Sequence, residues 1–171
     1  MRAIEIREEG TADVAAIRDV NTRAFGQDQE AGIVDALRSN GAASLSLVAT
    51  VDERIVGHIM YSPVQIGRIE GRGLGPMAVL PEYQRRGIGS RLVEAGNRQL
   101  EIAGCPFIVV LGHAEFYPRF GFKPARPTGV TCEWDVPDDV FLILVLDPAR
   151  MAGAFGLARY RSEFSDLTKS G

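Results

Sequence analysis

The chain has 171 residues, 46% hydrophobic and 24% charged, with a formal net charge of −3. That length suits one domain with a real core, and the acidic balance argues against a nucleic-acid partner. Two cysteines, Cys105 and Cys132, are too few for a disulfide framework and lack metal-ligand spacing, so no metal site is expected; no apolar run approaches the roughly 20 residues that cross a bilayer, so no membrane partner is expected.

Residues 2–7 alternate like a strand and have no signal-peptide core, which makes the cytoplasm the expected location. Thr11 is placed to cap a first helix, with Asp13 in its dipole-favoured first turn. Val14, Ile17, Val20 and Ala24 give that helix a buried stripe, and Phe25-Gly26 ends it. Glu30 to Arg38 predicts a second helix, with Ile33, Val34 and Leu37 on one side and a stop at Asn40-Gly41. Leu45, Leu47 and Ala49 alternate in a second strand, residues 51–54 turn, and Ile55 to Ser62 form a third. Val64 to Ile66 extend the third strand beyond a break at Pro63, which cannot donate a ladder bond. Gly67 to Gly73 reads as a loop and Leu74 to Leu80 as strand four. Strands two to four are expected to form an antiparallel meander.

The chain is organised around the next stretch, Pro76 to Ala103. A short apolar strand runs into a basic, glycine-containing turn, Gln84-Arg85-Arg86-Gly87-Ile88-Gly89-Ser90, and the turn opens a helix. The first amides of a helix lack intrahelical partners, and the helix dipole adds partial positive charge there. Gly87 and Gly89 let an anion approach the backbone, and Arg85 and Arg86 supply planar cationic forks. The stretch therefore reads as a diphosphate cradle. Ile88, Leu92, Gly96, Leu100 and Ala103 make the apolar stripe of the helix, and Gly104 stops it. Phe107 to Leu111 is a buried fifth strand, parallel to the fourth across a right-handed crossover.

Residues 112–122 read as a short helix and its exit, and 124–129 as a loop. Val130 to Trp134 are a candidate sixth strand, residues 137–139 a turn, and Phe141 to Leu146 the clearest buried strand. The pattern loosens from Asp147-Pro148, with a short strand expected over Gly156 to Tyr160 and Phe164 docking after it. Residues 1–150 are expected to form the domain and 151–171 an extension packed on it, frayed at its end. The order βααβββαβαββ implies an α/β (α+β) fold: a mixed, mostly antiparallel sheet of about seven strands with a central parallel pair and helices on both faces.

The turn lacks the Lys-Ser/Thr ending of a nucleoside-triphosphate loop and the spacing of a dinucleotide fold. Its Gln84-x-x-Gly87-x-Gly89 pattern resembles the acetyl-coenzyme A loop of the GCN5-related N-acetyltransferase (GNAT) superfamily. Tyr117-x-x-x-Gly121-Phe122 resembles that superfamily's second motif. Leu74 to Pro81, Leu111-Gly112-His113 and Phe116 to Phe122 together look like the predicted acetyltransferases of the YhbS type, over roughly residues 3 to 165. His113-Ala114 departs from the His-Pro of that group. The resemblance implies acetyl-CoA as co-substrate and a small-molecule or peptide amine as acceptor, in a monomer or homodimer. It implies that Met77, Ala78 and Val79 contact the pantetheine arm, that Gln84, Arg85, Arg86, Gly87, Ile88, Gly89 and Ser90 hold the diphosphate, and that Tyr117 is the general acid. Strand four has no acid to serve as base, which leaves His113, with Glu115 and Glu70 as further candidates. A non-catalytic acyl-CoA sensor on the same fold is the alternative. Thiol release distinguishes the two.

Overall fold

The computed structural model describes residues 2–168. Its strands are β1 (Ile4–Glu8), β2 (Leu45–Val51), β3 (Arg54–Ile66), β4 (Ile69–Val79), β5 (Phe107–Leu111), β6 (Lys123–Pro124), β7 (Val130–Cys132), β8 (Phe141–Val145) and β9 (Gly156–Arg159). Its helices are α1 (Val14–Phe25), α2 (Gln29–Ser39), α3 (Ile88–Ile102) and α4 (Pro148–Met151). The sheet order is β1-β2-β3-β4-β5-β8-β6, with β9 pairing both β3 and β7. The expected mixed sheet is present: β4 and β5 are parallel, whereas β1–β2, β2–β3 and β5–β8 are antiparallel. Among the described residues, no helix is long and apolar enough to cross a membrane.

The chain divides into two compact units. The first holds residues up to Tyr61 together with Pro76–Gly96. Here β1 and β2 pair from Ile4↔Val51 to Glu8↔Leu47. Ile17, Val20, Ile33, Val34 and Leu37 bury the inner faces of α1 and α2 as expected. Thr11 is not a cap. Residues 11–13 form a 3-10 turn, and the Asp13 carboxylate accepts from Gly10 N at 2.6 Å and from Arg7 at 2.7 Å. Helix α3 packs down because two positions lack side chains. A Cβ on Gly57 would stand 3.1 Å from both Ile88 and Leu92, and one on Gly96 would stand 2.7 Å from Tyr61 Cζ. The Arg91 guanidinium also donates to Ile4 O at 2.6 Å.

A buried polar chain crosses this unit. Asn21 donates to His58 Nδ1 at 3.1 Å, His58 Nε2 lies 2.8 Å from Ser46 Oγ, and Ser46 donates to Glu9. Asn21 Nδ2 can only donate, so the ring proton sits on Nε2. His58 is fully buried, and burial pushes its pKa down to about 4. It is a structural histidine, more enclosed than its place on an alternating strand suggests.

The second unit holds Ser62–Gly75 and the residues from Asn97 on. Its core gathers Val64, Ile66, Phe107, Val109, Val130, Phe141 and Ile143. Two expectations fail here. Strand β3 runs unbroken through Pro63, and the expected 67–73 loop shrinks to residues 67–68 because β4 begins at Ile69. The glycines that suggested a loop are places where rings lie on the strand. A Cβ on Gly71 would meet the Phe107 ring at 2.6 Å, and one on Gly73 would meet the Tyr160 ring at 2.9 Å. Three other differences are local. The short helix expected over 112–122 is a 3-10 helix confined to Tyr117–Phe120, β7 stops at Cys132, and α4 appears where the pattern loosened, capped by Asp147 accepting from Arg150 N at 3.2 Å. Residues beyond 150 contribute β9 and the buried Met151, Ala158 and Phe164. The frayed end expected for the last residues lies outside the described residues.

Candidate active site

The cradle is built within the first unit. Gln84 Nε2 donates to Val79 O at 2.9 Å, tying the turn to the end of β4. Arg85 (φ +63°) and Gly87 (φ +83°) both adopt left-handed backbone. A Cβ on Gly87 would touch nothing within 4 Å, so the space in front of it is open and the backbone angle is what favours glycine. Arg91 N is the first amide to bond back into the helix, to Gly87 O at 3.1 Å. Among the described residues, no side chain caps the amides of Ile88, Gly89 or Ser90. Ile88 gives an amide to this end while its side chain is 2% exposed and anchors α3 in the core. Arg85, Arg86 and Gly87 are exposed. Met77 and Val79 are half-buried on one face of β4, and Ala78 is buried on the other.

The tyrosine corner is built within the second unit. Strand β5 pairs with β4 over Arg72↔Ile108, Gly73↔Val109 and Leu74↔Val110; that ladder ends there, although β4 continues to Val79. Past the end of β5, Gly112 N donates to Val140 O at 3.0 Å. The Tyr117 ring lies directly on Gly112, where a Cβ would overlap Cε2 and stand 2.8 Å from Cδ2. Phe116 and Phe122 meet the same ring edge-on at 5.0 and 5.7 Å. The Tyr117 hydroxyl makes no hydrogen bond to any described residue, and burial pushes its pKa up to about 12. His113 is exposed. It serves the corner through its backbone, whose carbonyl accepts from Phe116 N at 3.1 Å and Tyr117 N at 3.4 Å.

The other candidate bases fare differently. Glu70 belongs to β4 rather than preceding it, and its carboxylate is already engaged by Gln65 at 3.0 Å and Arg72 at 3.1 Å. Glu115 is exposed. Sequence reasoning missed two buried hydroxyls, Ser62 Oγ and Tyr160 OH, which have no hydrogen-bond partner among the described residues. Tyr160 stacks edge-on against Trp134 at 5.0 Å and Phe164 at 5.5 Å. Nothing local marks it, since it lies where the hydrophobic pattern has loosened. Among the described residues, no group of three or more His, Cys, Asp or Glu could hold a metal ion.

A glycine turn opening the helix between two parallel strands, on a mixed sheet, is the arrangement that the resemblance to the acetyltransferase superfamily implies, and comparison with known proteins agrees. The acetyltransferase (GNAT) domain family matches residues 42–124. The chain is 39% identical over 135 residues to YjhQ of Escherichia coli (strain K12), named an uncharacterized N-acetyltransferase, covering 75% of each chain. It is 33% identical over 163 residues to YhbS of the same strain, likewise named an uncharacterized N-acetyltransferase, covering 94% of this chain and 98% of that one. The crystal structure of Escherichia coli YhbS in complex with CoA superimposes with a TM-score of 0.92 over 96% of this chain and 93% of that one, at 32% identity. A GNAT acetyltransferase from Brucella melitensis in complex with acetyl-CoA gives 0.79 at 37% identity, over 96% and 99%. The chain belongs to the GNAT family of acetyltransferases.

Proposed function

We propose that this protein transfers an acetyl group from acetyl-CoA to a primary amine by direct attack in a ternary complex. The observation that carries this reading is Tyr117: a buried phenol, seated on Gly112, whose hydroxyl has no partner among the described residues. The CoA-bound relatives support the donor. In this reading the uncapped amides of Ile88, Gly89 and Ser90 receive the diphosphate, with Arg85 and Arg86 adding charge. Gln84 holds the turn to β4. Met77, Ala78 and Val79 line the pantetheine arm along the part of β4 beyond its ladder with β5.

Attack by the amine forms the new C–N bond and a tetrahedral oxyanion. Collapse breaks the C–S bond, and the sulfur leaves as a thiolate that needs a proton or a hydrogen bond. Tyr117 supplies it. A phenol near 12 facing a thiol near 8.5 is mismatched by about 3.5 units, roughly 5 kcal/mol. Full transfer to a solvated thiolate is therefore uphill. Burial raises the thiolate's affinity for a proton too, which narrows the gap, and a hydrogen bond to the developing charge requires no transfer at all.

Between Leu74 and Val79, β4 offers no carboxylate, and Glu70 is engaged. A lysine-like amine is neutral only about once in 2,500 molecules at pH 7, a handicap of about 4.6 kcal/mol. An amine near 7.7 escapes most of that cost. The favoured acceptor is therefore a primary amine of low pKa, with exposed His113 as the candidate relay for its proton. The missing acid also supports a second reading, an acyl-CoA sensor. Thiol release from acetyl-CoA across a panel of amines decides between them: release supports the enzyme, and firm donor binding without release supports the sensor. Tyr117→Phe should lower kcat by about 100-fold with little change in donor affinity; an unchanged rate removes Tyr117 from the chemistry.

A further inference from the structure

The buried polar chain of the first unit plays no part in the proposed chemistry, and it closes into a circuit. It starts on α1, where Asn21 Nδ2 donates to Ile17 O at 3.0 Å and to His58 Nδ1 at 3.1 Å. It crosses the sheet through His58 Nε2 and Ser46 Oγ, 2.8 Å apart, and through the bond from Ser46 to Glu9. Glu9 is gripped twice by Arg38 of α2, at 2.9 and 3.1 Å. Arg38 also donates to Asp35 at 3.2 Å, and Asp35 accepts from Arg18, back on α1.

The protons of the inner part all point one way. Asn21 spends one amide proton on Ile17 O and the other on His58, so Nδ1 must accept and Nε2 must carry the ring proton. Ser46 accepts from the ring and donates to Glu9, which is acceptor-only while ionised. The order holds only with His58 neutral and Glu9 charged. A proton placed on Nδ1 would meet Asn21 Nδ2 head on. The amide can admit it only by turning over, which brings Oδ1 to the ring and takes the donor away from Ile17 O. Asn21 Oδ1 is buried and has no hydrogen-bond partner among the described residues, so the acceptor that this second state needs is already in place. A proton on Glu9 would require Ser46 to reverse, and that reversal also ends at Asn21.

We propose that this circuit is an acid-sensitive latch: it fastens α1 to the sheet while His58 is neutral, and a proton entering it turns the Asn21 amide over and loosens α1 at Ile17. The inference is independent of the donor and of the reaction. The surroundings of the ring agree with it. Burial holds the His58 pKa down at about 4, opposed by the Glu9 charge and aided by that of Arg38. Burial pushes the Glu9 carboxyl up, but the bonds from Arg38 and Ser46 and the Arg38 charge hold it below its ordinary value. Asp35 and Arg18 lie beyond Arg38. Below about pH 6.5 the unfolded chain binds a proton on His58 that the latched form refuses. The His58 contribution to stability is therefore fully present above pH 6.5 and is lost as pH falls toward 4.

The test reads His58 by 15N-NMR of the full chain, in which exposed His113 is the other imidazole. At pH 7.5 His58 should show a protonated Nε2 and a bare Nδ1, and at pH 5.5 it should still be uncharged. A proton on Nδ1 at pH 7.5, or titration near pH 6.5, overturns the inference. Urea titrations then compare wild type with His58→Gln, whose amide can accept from Asn21 and donate to Ser46 but takes no charge. From pH 6.5 to 4.5 the folding constant should fall about 40-fold more in wild type than in the variant. Equal falls overturn the inference, and if His58→Gln does not fold, the NMR arm decides alone. Hydrogen exchange, corrected for the intrinsic effect of pH, locates the change: α1 should lose protection ahead of β2 and β3 over that range. Uniform loss across these elements makes the circuit a stability element only and overturns the latch.

Discussion

The phosphate turn and the tyrosine corner both depend on glycine, for opposite reasons. At Gly87 a side chain would meet empty space, and the backbone angle is what favours glycine. At Gly112 a side chain would overlap Tyr117, so vacant volume is the requirement. The turn is exposed and cationic and offers its main chain. The corner is apolar and buried and offers one side chain. Each arrangement suits the ligand proposed for it. A diphosphate brings its own charge and needs donors that are already aimed, whereas a leaving thiolate needs one proton held away from water.

Four further measurements probe this contrast. Gly89→Asp puts a carboxylate at the cradle and should weaken acetyl-CoA binding by about 100-fold or more, read by calorimetry. Near-normal affinity would move the phosphate site elsewhere. Gly112→Ala should displace the Tyr117 ring and cut kcat by about 10- to 100-fold while KM for acetyl-CoA holds. Its folding cost should be about 1–3 kcal/mol, read by urea titration. An effect on KM alone would mean that the corner serves binding. The pH–rate profile comes next. The rate should rise about tenfold per unit below the acceptor's pKa and then stay level to about pH 11. The sign follows from the proposed chemistry: the protonated phenol would be the active form, and that form is lost only as pH rises through about 12. A falling limb near pH 9 would assign the proton to another group. Gln84→Ala removes the bond to Val79 O and should raise KM for acetyl-CoA by only about two- to fivefold, because an exposed hydrogen bond contributes little.

Much of this was legible in the chain. The α3 stripe, the Gly104 stop and the β4–α3–β5 crossover follow from residue spacing, because each is local or repeats a periodicity, whereas both motifs were marked by their resemblance to the acetyltransferase superfamily. Gly71 and Gly73 misled the reading of β4. Glycines signal a loop when only chain neighbours are visible, yet these two admit rings from Phe107 and Tyr160, which are distant in sequence. Pro63 misled in the same way, since an unbroken β3 accommodates a residue without an amide proton. The tyrosine corner was half legible. Tyr117 was marked by its motif, but that Gly112 makes room for its ring, and that His113 contributes a carbonyl to its turn, depends on contacts no pattern encodes. Glu70 was assigned its place by the false loop, and its engagement by Gln65 and Arg72 emerges only with the true start of β4.

The meeting of Gly96 with Tyr61 has a mechanical side. A helix seated against a sheet by ordinary side chains can roll a little, because those side chains can change rotamer. Here the backbone of α3 rests on an aromatic ring two turns behind the cradle, with no side chain between them to yield. The ring acts as a key in a shaft. It sets the rotation of the helix and hence the direction in which the leading amides point, so reshaping Tyr61 should redirect the amides proposed to receive the donor without touching any of their residues.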